Sequence, residues 1–452
     1  MTYFFETYGC QMNSAESSAL LLACREKGWT AAPDGESADL VLINTCAVRN
    51  TAERRALARI AHRAADKKKG LARGKNSALV VAGCMAQRSA ESIKKKFPEV
   101  DYVIGTGADE TFRRILEALE RASVFLPGAG GSWEEDEGFA PTGFARKHFE
   151  PGERRVLLPV MRGCDSFCSY CVVPYARGRE AARDPAEIAR EIRAAGESGA
   201  REITLLGQNI SAYNWRSGET GFPALLRMAA REARAGGVRW LRFLSANPKD
   251  FSSEAIAAMA ENEEFCRHLH LCAQHGSDRI LRAMNRGYTR DRYLALVREA
   301  REAMPEISLT SDILVGFPGE SEEDVEATLS LMEETRFLYA YTYHYNPMEG
   351  TAAFGLPGRI PEEAKRERLS RVIALQKKHT AELLKARVGR RAVALVEGIS
   401  RKNADELVMR TERDEMVVAP GPASAIGSFA EVELSGLRGN TFRAKEICPC
   451  GA

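Results

Sequence analysis

Three cysteines fall within eight residues of MRGCDSFCSYCVVPYARGRE: Cys164, Cys168 and Cys171, spaced C-x3-C-x2-C. Thiolates this close, in a loop directly after an apolar run, can converge on one polynuclear iron–sulfur cluster. They supply three ligands and leave one iron open. A structural zinc site wants a fourth ligand, and no neighbouring Cys or His supplies it. Gly163, just before the first cysteine, permits close backbone approach.

Cys10, Cys46 and Cys84 are far apart in sequence but occupy equivalent places. YFFETYG, LVLINT and LVVAG each read as a strand, and each ends at one of these cysteines before a helical pattern begins. Ligands of open α/β sheets bind at the carboxyl ends of the strands. Three strands each delivering a cysteine there predict a second three-thiolate site. The plainer alternative is three buried strand-end thiols. Cys24 is expected in a helix core, Cys266 and Cys272 as packing residues around HLHL, and Cys448 and Cys450 in an exposed tail.

Positioning these cysteines requires strand–helix alternation, and the chain shows it. Residues 1–125 read as an α/β unit with a doubly wound parallel sheet. Its first helix, NSAESSALLLACREKG, is expected to take Asn13 or Ser14 as N-cap. Residues 126–150, rich in Gly, Pro and acid at their start, read as a linker. Six strand candidates in 151–385 (RVLLPVMRG, REITLLGQN, VRWLRFLS, HLHLCAQ, ISLTSDILVG and LYAYTYHY) predict a partial β/α barrel with its chemistry at the strand carboxyl ends. PEEAKRERLSRVIALQKKHTAELLKARVG is one long helix, and short strands over 386–448 predict a small all-β barrel.

The 452 residues are too many for one ordinary core. Hydrophobic content of 44% and charged content of 28% are those of a soluble globular protein. No run of eighteen apolar residues suggests a membrane span, and no secretory leader opens the chain, so a cytosolic location is expected. Eleven cysteines in that compartment argue for metal or redox chemistry. Net charge is +2, but residues 49–75 carry ten Lys/Arg against two acids, and 359–387 carry nine against four. Such patches suit a nucleic-acid partner, and also suit two solvated helix faces.

The cysteine loop resembles the signature of radical S-adenosylmethionine (SAM) enzymes. With the N-terminal triad and a C-terminal barrel of the TRAM type, the chain resembles the methylthiotransferase family of that class. The resemblance runs through YGCQMN, NTCAVR, GCMAQR, KKFPEVDYVIGT, MRGCDSFCSYCVVPYARGRE, EITLLGQN, NPKDF, GSDRILRAMNRGYT, SDILVGFPGE and YNPMEGTAA. Gln11, Met12 and Asn13 after the first cysteine are similar to the branch acting on isopentenylated adenosine beside the tRNA anticodon. Two stretches depart from the pattern: LSANPKD lacks the usual histidine before its proline, and LCAQHGSD stands for an LPVQSGSD-like run.

The resemblance implies two 4Fe-4S clusters. One, on Cys164, Cys168 and Cys171, would cleave SAM to a radical that takes hydrogen from C2 of adenine. The other, an auxiliary cluster on Cys10, Cys46 and Cys84, would carry the sulfur that a second SAM methylates. Tyr170, Gln208, Asn209, Ser245, Gln274 and Asp312 match the family's SAM contacts, and each could equally satisfy backbone groups at a strand end. Arg177 and Arg179 beside the radical loop are candidate RNA contacts. A tRNA anticodon stem-loop would be the substrate, since its unpaired bases can be splayed out. A reducing protein would donate electrons, a sulfur or iron–sulfur delivery protein is a further partner, and a monomer is expected. Two alternatives stand beside this reading. One is the same chemistry on threonylcarbamoyladenosine or a ribosomal-protein aspartate. The other is a non-catalytic iron–sulfur or zinc RNA-binding protein.

Overall fold

The computed structural model describes residues 1–47, 50–121, 145 and 147–450. The expected linker over 126–150 lies largely outside the described residues, as does Arg49 of the first basic segment. The first 121 residues give β1 (Thr2–Thr7), α1 (Gln11–Glu26), β2 (Thr30–Ala31), β3 (Leu40–Thr45), α2 (Asn50–Ala72), β4 (Ala78–Gly83), α3 (Cys84–Lys96), β5 (Tyr102–Ile104) and α4 (Asp109–Arg121). The strands are all parallel, in the order β2-β1-β3-β4-β5. All six residues of both β3 and β4 are buried, as strands covered on both faces must be. Strand order reverses between β1 and β3, the kind of switch point where open α/β sheets bind ligands. Register keeps the strand ends level, with Thr7 opposite Asn44 and Thr45 opposite Gly83.

The first helix starts earlier than expected. It begins at Gln11 with Cys10 as N-cap, so Asn13 and Ser14 lie inside it. Asn13 is fully buried at the third helical position, where its Oδ1 accepts from the Cys10 N–H at 3.4 Å and its amide bonds Asn44 on β3, so it closes a capping box from inside the helix rather than standing at the N-cap.

The barrel region forms two parallel three-stranded sheets. One has the order Trp240–Phe243, Glu202–Leu206, Arg155–Pro159, and the other His268–His270, Ser308–Val315, Tyr339–His344. Isolated bridges Leu241–Phe265 and Ala246–Leu271 join the halves. All six expected strands are present, and one apolar core underlies them, from Val156 and Ile203 to Ile313 and Phe337.

A helix over Glu362–Lys385 leads to a seven-stranded sheet, antiparallel except where Met416–Pro420 pairs with Thr441–Arg443. This sheet docks on the amino-terminal rim of the partial barrel. Arg242 donates to the carbonyls of Thr411 and Glu412, Ser308 to that of Arg413, and Trp240 meets Phe429 edge-on at 4.8 Å. Among the described residues no helix is long and apolar enough to cross a membrane.

Candidate active site

The N-terminal cysteines leave three neighbouring strands. Cys10 caps α1, Cys46 follows β3, and Cys84 is the first residue of α3. Two helix N-termini therefore face this corner, an environment that favours thiolates. A buried network sets the spacing of the loops. Asn13 donates to Asn44 Oδ1 (2.9 Å) and the Thr45 carbonyl (3.1 Å), Asn44 donates back to the Asn13 carbonyl (3.0 Å), and Thr45 Oγ1 donates to the Ala82 carbonyl (2.6 Å). Asn13 Oδ1 also accepts from the Cys10 thiol at 3.3 Å. Gly83 is required here: its φ is +93°, and a Cβ would lie 2.3 Å from Asn44 Oδ1. Burial pushes the Cys84 thiol up to about 12, opposed by the charge of Arg177, and its neighbours Cys46 and Cys10 push further up.

The second triad sits in the loop after the short strand Met161–Arg162. Gly163 passes the Arg179 backbone so closely that a Cβ would lie 1.9 Å from its carbonyl oxygen. Donors converge on the sulfurs: Arg286 Nη1 on Cys168 Sγ at 3.2 Å and the Val173 N–H on Cys171 Sγ at 3.4 Å. Such bonds tune and hold thiolate-ligated clusters. Asn285 Nδ2 grips the carbonyls of Ser166 and Phe167 at 3.0 and 3.1 Å. Asn247, where the histidine is usual, accepts from Arg286 and donates to Ser166.

Both triads fit a polynuclear cluster better than a single ion. Among the described residues, the one group of three potential ligands with all donor atoms within 4.8 Å is His270, Cys272 and Asp312. Each cysteine triad is more open than that, whereas thiolates on one zinc would lie roughly 3.8 Å apart.

A cavity of about 550 Å³ runs down the barrel lumen. Gly9, Cys10, Gln11 and Met12 line it at the strand carboxyl ends, and Arg410 and Asp414 of the C-terminal sheet line its far end. Of the expected SAM residues, Gln208, Ser245 and Asp312 are on its wall. Gln208 Oε1 is buried with no hydrogen-bond partner, an acceptor suited to a ligand's donor. Ser245 has φ +65° and Gln274 φ +62°, left-handed conformations stored at the ends of two barrel strands. Gln274 is not among the lining residues, and its backbone bridges Ile313. Tyr170 packs beside Ile280, Met284 and Phe317, and burial raises its hydroxyl well above the usual range. Asn209, also expected as a SAM contact, is not among the lining residues; it is buried, donating to Asp250 at 2.7 Å and to Ser166 of the cysteine loop at 3.4 Å.

Arg177 requires correction. It is 4% exposed and bonds both carboxylate oxygens of Glu16, so RNA does not reach it. Arg179 is exposed, pairs with Asp165 at 2.9 Å, and lies over the Phe167 ring at 5.2 Å. Phe167 and Tyr175, both exposed, meet edge-on at 6.2 Å. Three cations of the first basic segment are tied to carboxylates: Arg59 and Arg63 bind Glu6, and Lys67 binds Asp101. In the second, Arg368 and Arg371 are held by Glu320, Glu322 and Glu326.

The fold and the three-cysteine loop define a radical SAM protein, and a family model for the radical SAM superfamily matches residues 158–332. A second, for Uncharacterized protein family UPF0004, matches residues 2–105. The tRNA-2-methylthio-N(6)-dimethylallyladenosine synthase of Treponema denticola is 47% identical, covering 98% of this chain and 99% of its own. Those of Treponema pallidum (43%; 98% and 98%) and Geobacter sulfurreducens (40%; 96% and 94%) are similar over comparable spans. The chain belongs to this synthase family. Among solved structures, the radical SAM methyltransferase TsrM from Kitasatospora setae, with cobalamin and a [4Fe-4S] cluster bound, superposes with a TM-score of 0.54. The match has 16% identity and covers 78% of this chain and 77% of that one, a likeness of fold.

Asn285, Arg286 and Asn247 were not singled out from sequence as loop-holding residues. They lie in MNRGY and NPKD, whose motif membership was the available signal.

Proposed function

We propose that the chain transfers a methylthio group to C2 of N6-dimethylallyladenosine (isopentenyladenosine) beside the tRNA anticodon. The near full-length relatives carry that activity in their names, which favours this substrate over threonylcarbamoyladenosine or a protein aspartate. One observation supports the mechanism most: Cys10 of the N-terminal triad lines the same cavity as Gln208, Ser245 and Asp312. A group transfer needs both reacting centres to face one enclosed space.

In this reading Cys164, Cys168 and Cys171 hold the radical cluster, and Cys10, Cys46 and Cys84 the auxiliary one. When bound, the two 4Fe-4S clusters and SAM supply the radical that takes the C2 hydrogen and the methylated sulfur. The protein's own residues do the positioning. Arg286 and the Val173 N–H brace sulfurs of the radical loop. Asn209 and Asn247 hold Ser166. Gln208 Oε1, a buried acceptor without a partner, would take a donor of bound SAM, with Ser245 and Asp312 on the same wall. Tyr170 packs the cysteine loop against its neighbouring apolar cluster, and Gln274 shapes the end of its strand.

Phe167, Tyr175 and Arg179 form an exposed aromatic and cationic platform beside the radical loop. Unpaired anticodon-loop bases stack on such surfaces. The outward lysines and arginines, including Lys68, Arg73, Lys377 and Lys378, meet phosphates, so binding weakens with salt. A reducing protein and a sulfur or iron–sulfur delivery protein complete the cycle.

The test is anaerobic reconstitution with an isopentenylated anticodon stem-loop. Cys164→Ala should abolish SAM cleavage. Cys46→Ala should keep cleavage and lose methylthio transfer. Methylthiolated RNA from Cys46→Ala would defeat the two-cluster assignment.

A further inference from the structure

His270, Cys272 and Asp312 form a compact triangle on the barrel lumen, away from both cysteine triads in sequence. Cys272 Sγ lies 3.5 Å from His270 Nε2 and 3.2 Å from Asp312 Oδ2, and His270 Nε2 lies 3.3 Å from Asp312 Oδ2. The side chains of His270 and Asp312 are 7% and 26% exposed, and Cys272 is buried.

Hydrogen bonding can hold the triangle: the thiol and the Nε2–H both point to Asp312 Oδ2, with the Cys272 sulfur a weak second acceptor for Nε2–H. A single cation fits the same three edges with ordinary metal–ligand bonds. Tetrahedral zinc, with bonds of about 2.3 Å to sulfur and about 2.05 Å to nitrogen or oxygen, requires donor separations of roughly 3.5 Å for S–N and S–O and roughly 3.3 Å for N–O. The observed triangle has nearly those edges.

The surroundings also suit a metal. His270 Nδ1 lies 3.0 Å from Thr310 Oγ1, the second bond that fixes the ring of a metal-ligating histidine. Thr310 Oγ1 in turn meets His268 Nε2 at 2.8 Å, while His268 Nδ1 is buried without a partner. Cys272 belongs to LCAQHGSD, the stretch that departs from the family's usual LPVQSGSD-like run.

We propose that His270, Cys272 and Asp312 bind a single borderline-soft divalent cation, zinc in class, independent of both iron–sulfur sites. Three protein ligands leave a fourth position, and with His270 and Asp312 on the cavity wall it opens toward the lumen. Cys272 is then a ligand rather than the packing residue its sequence context suggests. The cation goes beyond the methylthiotransferase reading but shares Asp312 and the cavity with it, so its test reads metal content and sulfur ligation rather than methylthio transfer.

The test uses anaerobically reconstituted holoenzyme dialysed against zinc sulfate, then passed over chelating resin. Elemental analysis should find about one zinc per chain, and zinc K-edge absorption a single sulfur among nitrogen and oxygen neighbours. Cys272→Ala and Asp312→Asn should each weaken zinc binding at least tenfold while iron and sulfide contents stay at the wild-type level, which certifies the fold. His270→Gln gives a third, independent variant. Holoenzyme that retains no zinc overturns the proposal. So does zinc retention unchanged by Cys272→Ala and Asp312→Asn, or an all-sulfur shell, which would put the metal in a cluster site. A variant that loses its iron is replaced in the comparison by the others, and the wild-type sulfur count decides alone if all three do.

Discussion

Arg177 and Glu16 meet end-on, with Nη1 and Nη2 each bonding one carboxylate oxygen at 2.7 and 3.1 Å. Arg177 ends the short helix Val173–Arg177 after the radical loop, and Glu16 lies on α1, just after Cys10. This bidentate pair ties the two cysteine-bearing regions together and holds a cation beside Cys84 and Cys10.

Removing Arg177 should therefore loosen both. Arg177→Met leaves Glu16 without its partner and should cost about 3 kcal/mol of stability, read by denaturant unfolding of the anaerobic holoenzyme. Arg177→Lys keeps the charge but not the fork, and should fall between. If Arg177→Met unfolds like the parent and keeps its iron, the tie has no structural weight.

The Asn13–Asn44–Gly83 network makes a sharper local prediction. Gly83→Ala forces a Cβ to within 2.3 Å of Asn44 Oδ1 at a φ of +93°. The N-terminal cluster should be lost while the radical cluster remains, so iron per chain falls by about half and SAM cleavage persists. Full iron content in Gly83→Ala would contradict this.

Glu6 gives a pH signature. Burial would raise its carboxyl, but hydrogen bonds from Arg59, Tyr8 and Arg63 lower it from 4.5 to about 2. A carboxyl depressed in the folded state stabilises fully above its unfolded value, and that contribution disappears as pH falls through the folded one. Stability should drop between about pH 4.5 and pH 2. Glu6→Gln should be less stable at neutral pH and lack that part of the acid slope in a pH series of unfolding curves.

The exposed platform should matter for RNA and not for SAM. Phe167→Ala and Tyr175→Ala should each weaken anticodon stem-loop binding by about 1–3 kcal/mol, measured by fluorescence anisotropy, with uncoupled SAM cleavage retained. Arg179→Ala should reduce the salt dependence of binding by about one phosphate contact. Unchanged affinity in all three would move the RNA elsewhere.

The strand-end cysteines were legible because β3 and β4, buried along their whole length, read as continuous apolar runs that stop at a cysteine, while the partly buried β1 opens on the apolar Tyr3, Phe4 and Phe5. Of the barrel strands, Glu202–Leu206 is buried throughout in the same way, whereas Tyr339–His344 is only partly buried and alternates aromatic with other residues. The helix start at Gln11 was not legible. Asn13 uses its cap chemistry from inside the helix, accepting from the Cys10 N–H, because its amide is held by Asn44 and Thr45, contacts that exist only after β3 pairs beside β1. Arg177 and Arg179 look equivalent in ARGRE, yet one is buried against Glu16 and the other faces outward. The helix ends at Arg177 and the chain turns at Gly178, with φ +74°, before Arg179, and no composition reports which carboxylate waits there. The His270–Cys272–Asp312 triangle was hidden because Asp312 is contributed by the neighbouring strand, forty residues after Cys272.

The most direct test of the central claim is mass spectrometry of tRNA nucleosides from cells with and without this gene. Loss of 2-methylthio-N6-dimethylallyladenosine on deletion, accumulation of unmodified N6-dimethylallyladenosine, and restoration by the intact gene but not by Cys46→Ala are the predicted results. An unchanged level of the methylthiolated nucleoside in the deletion strain would contradict the account.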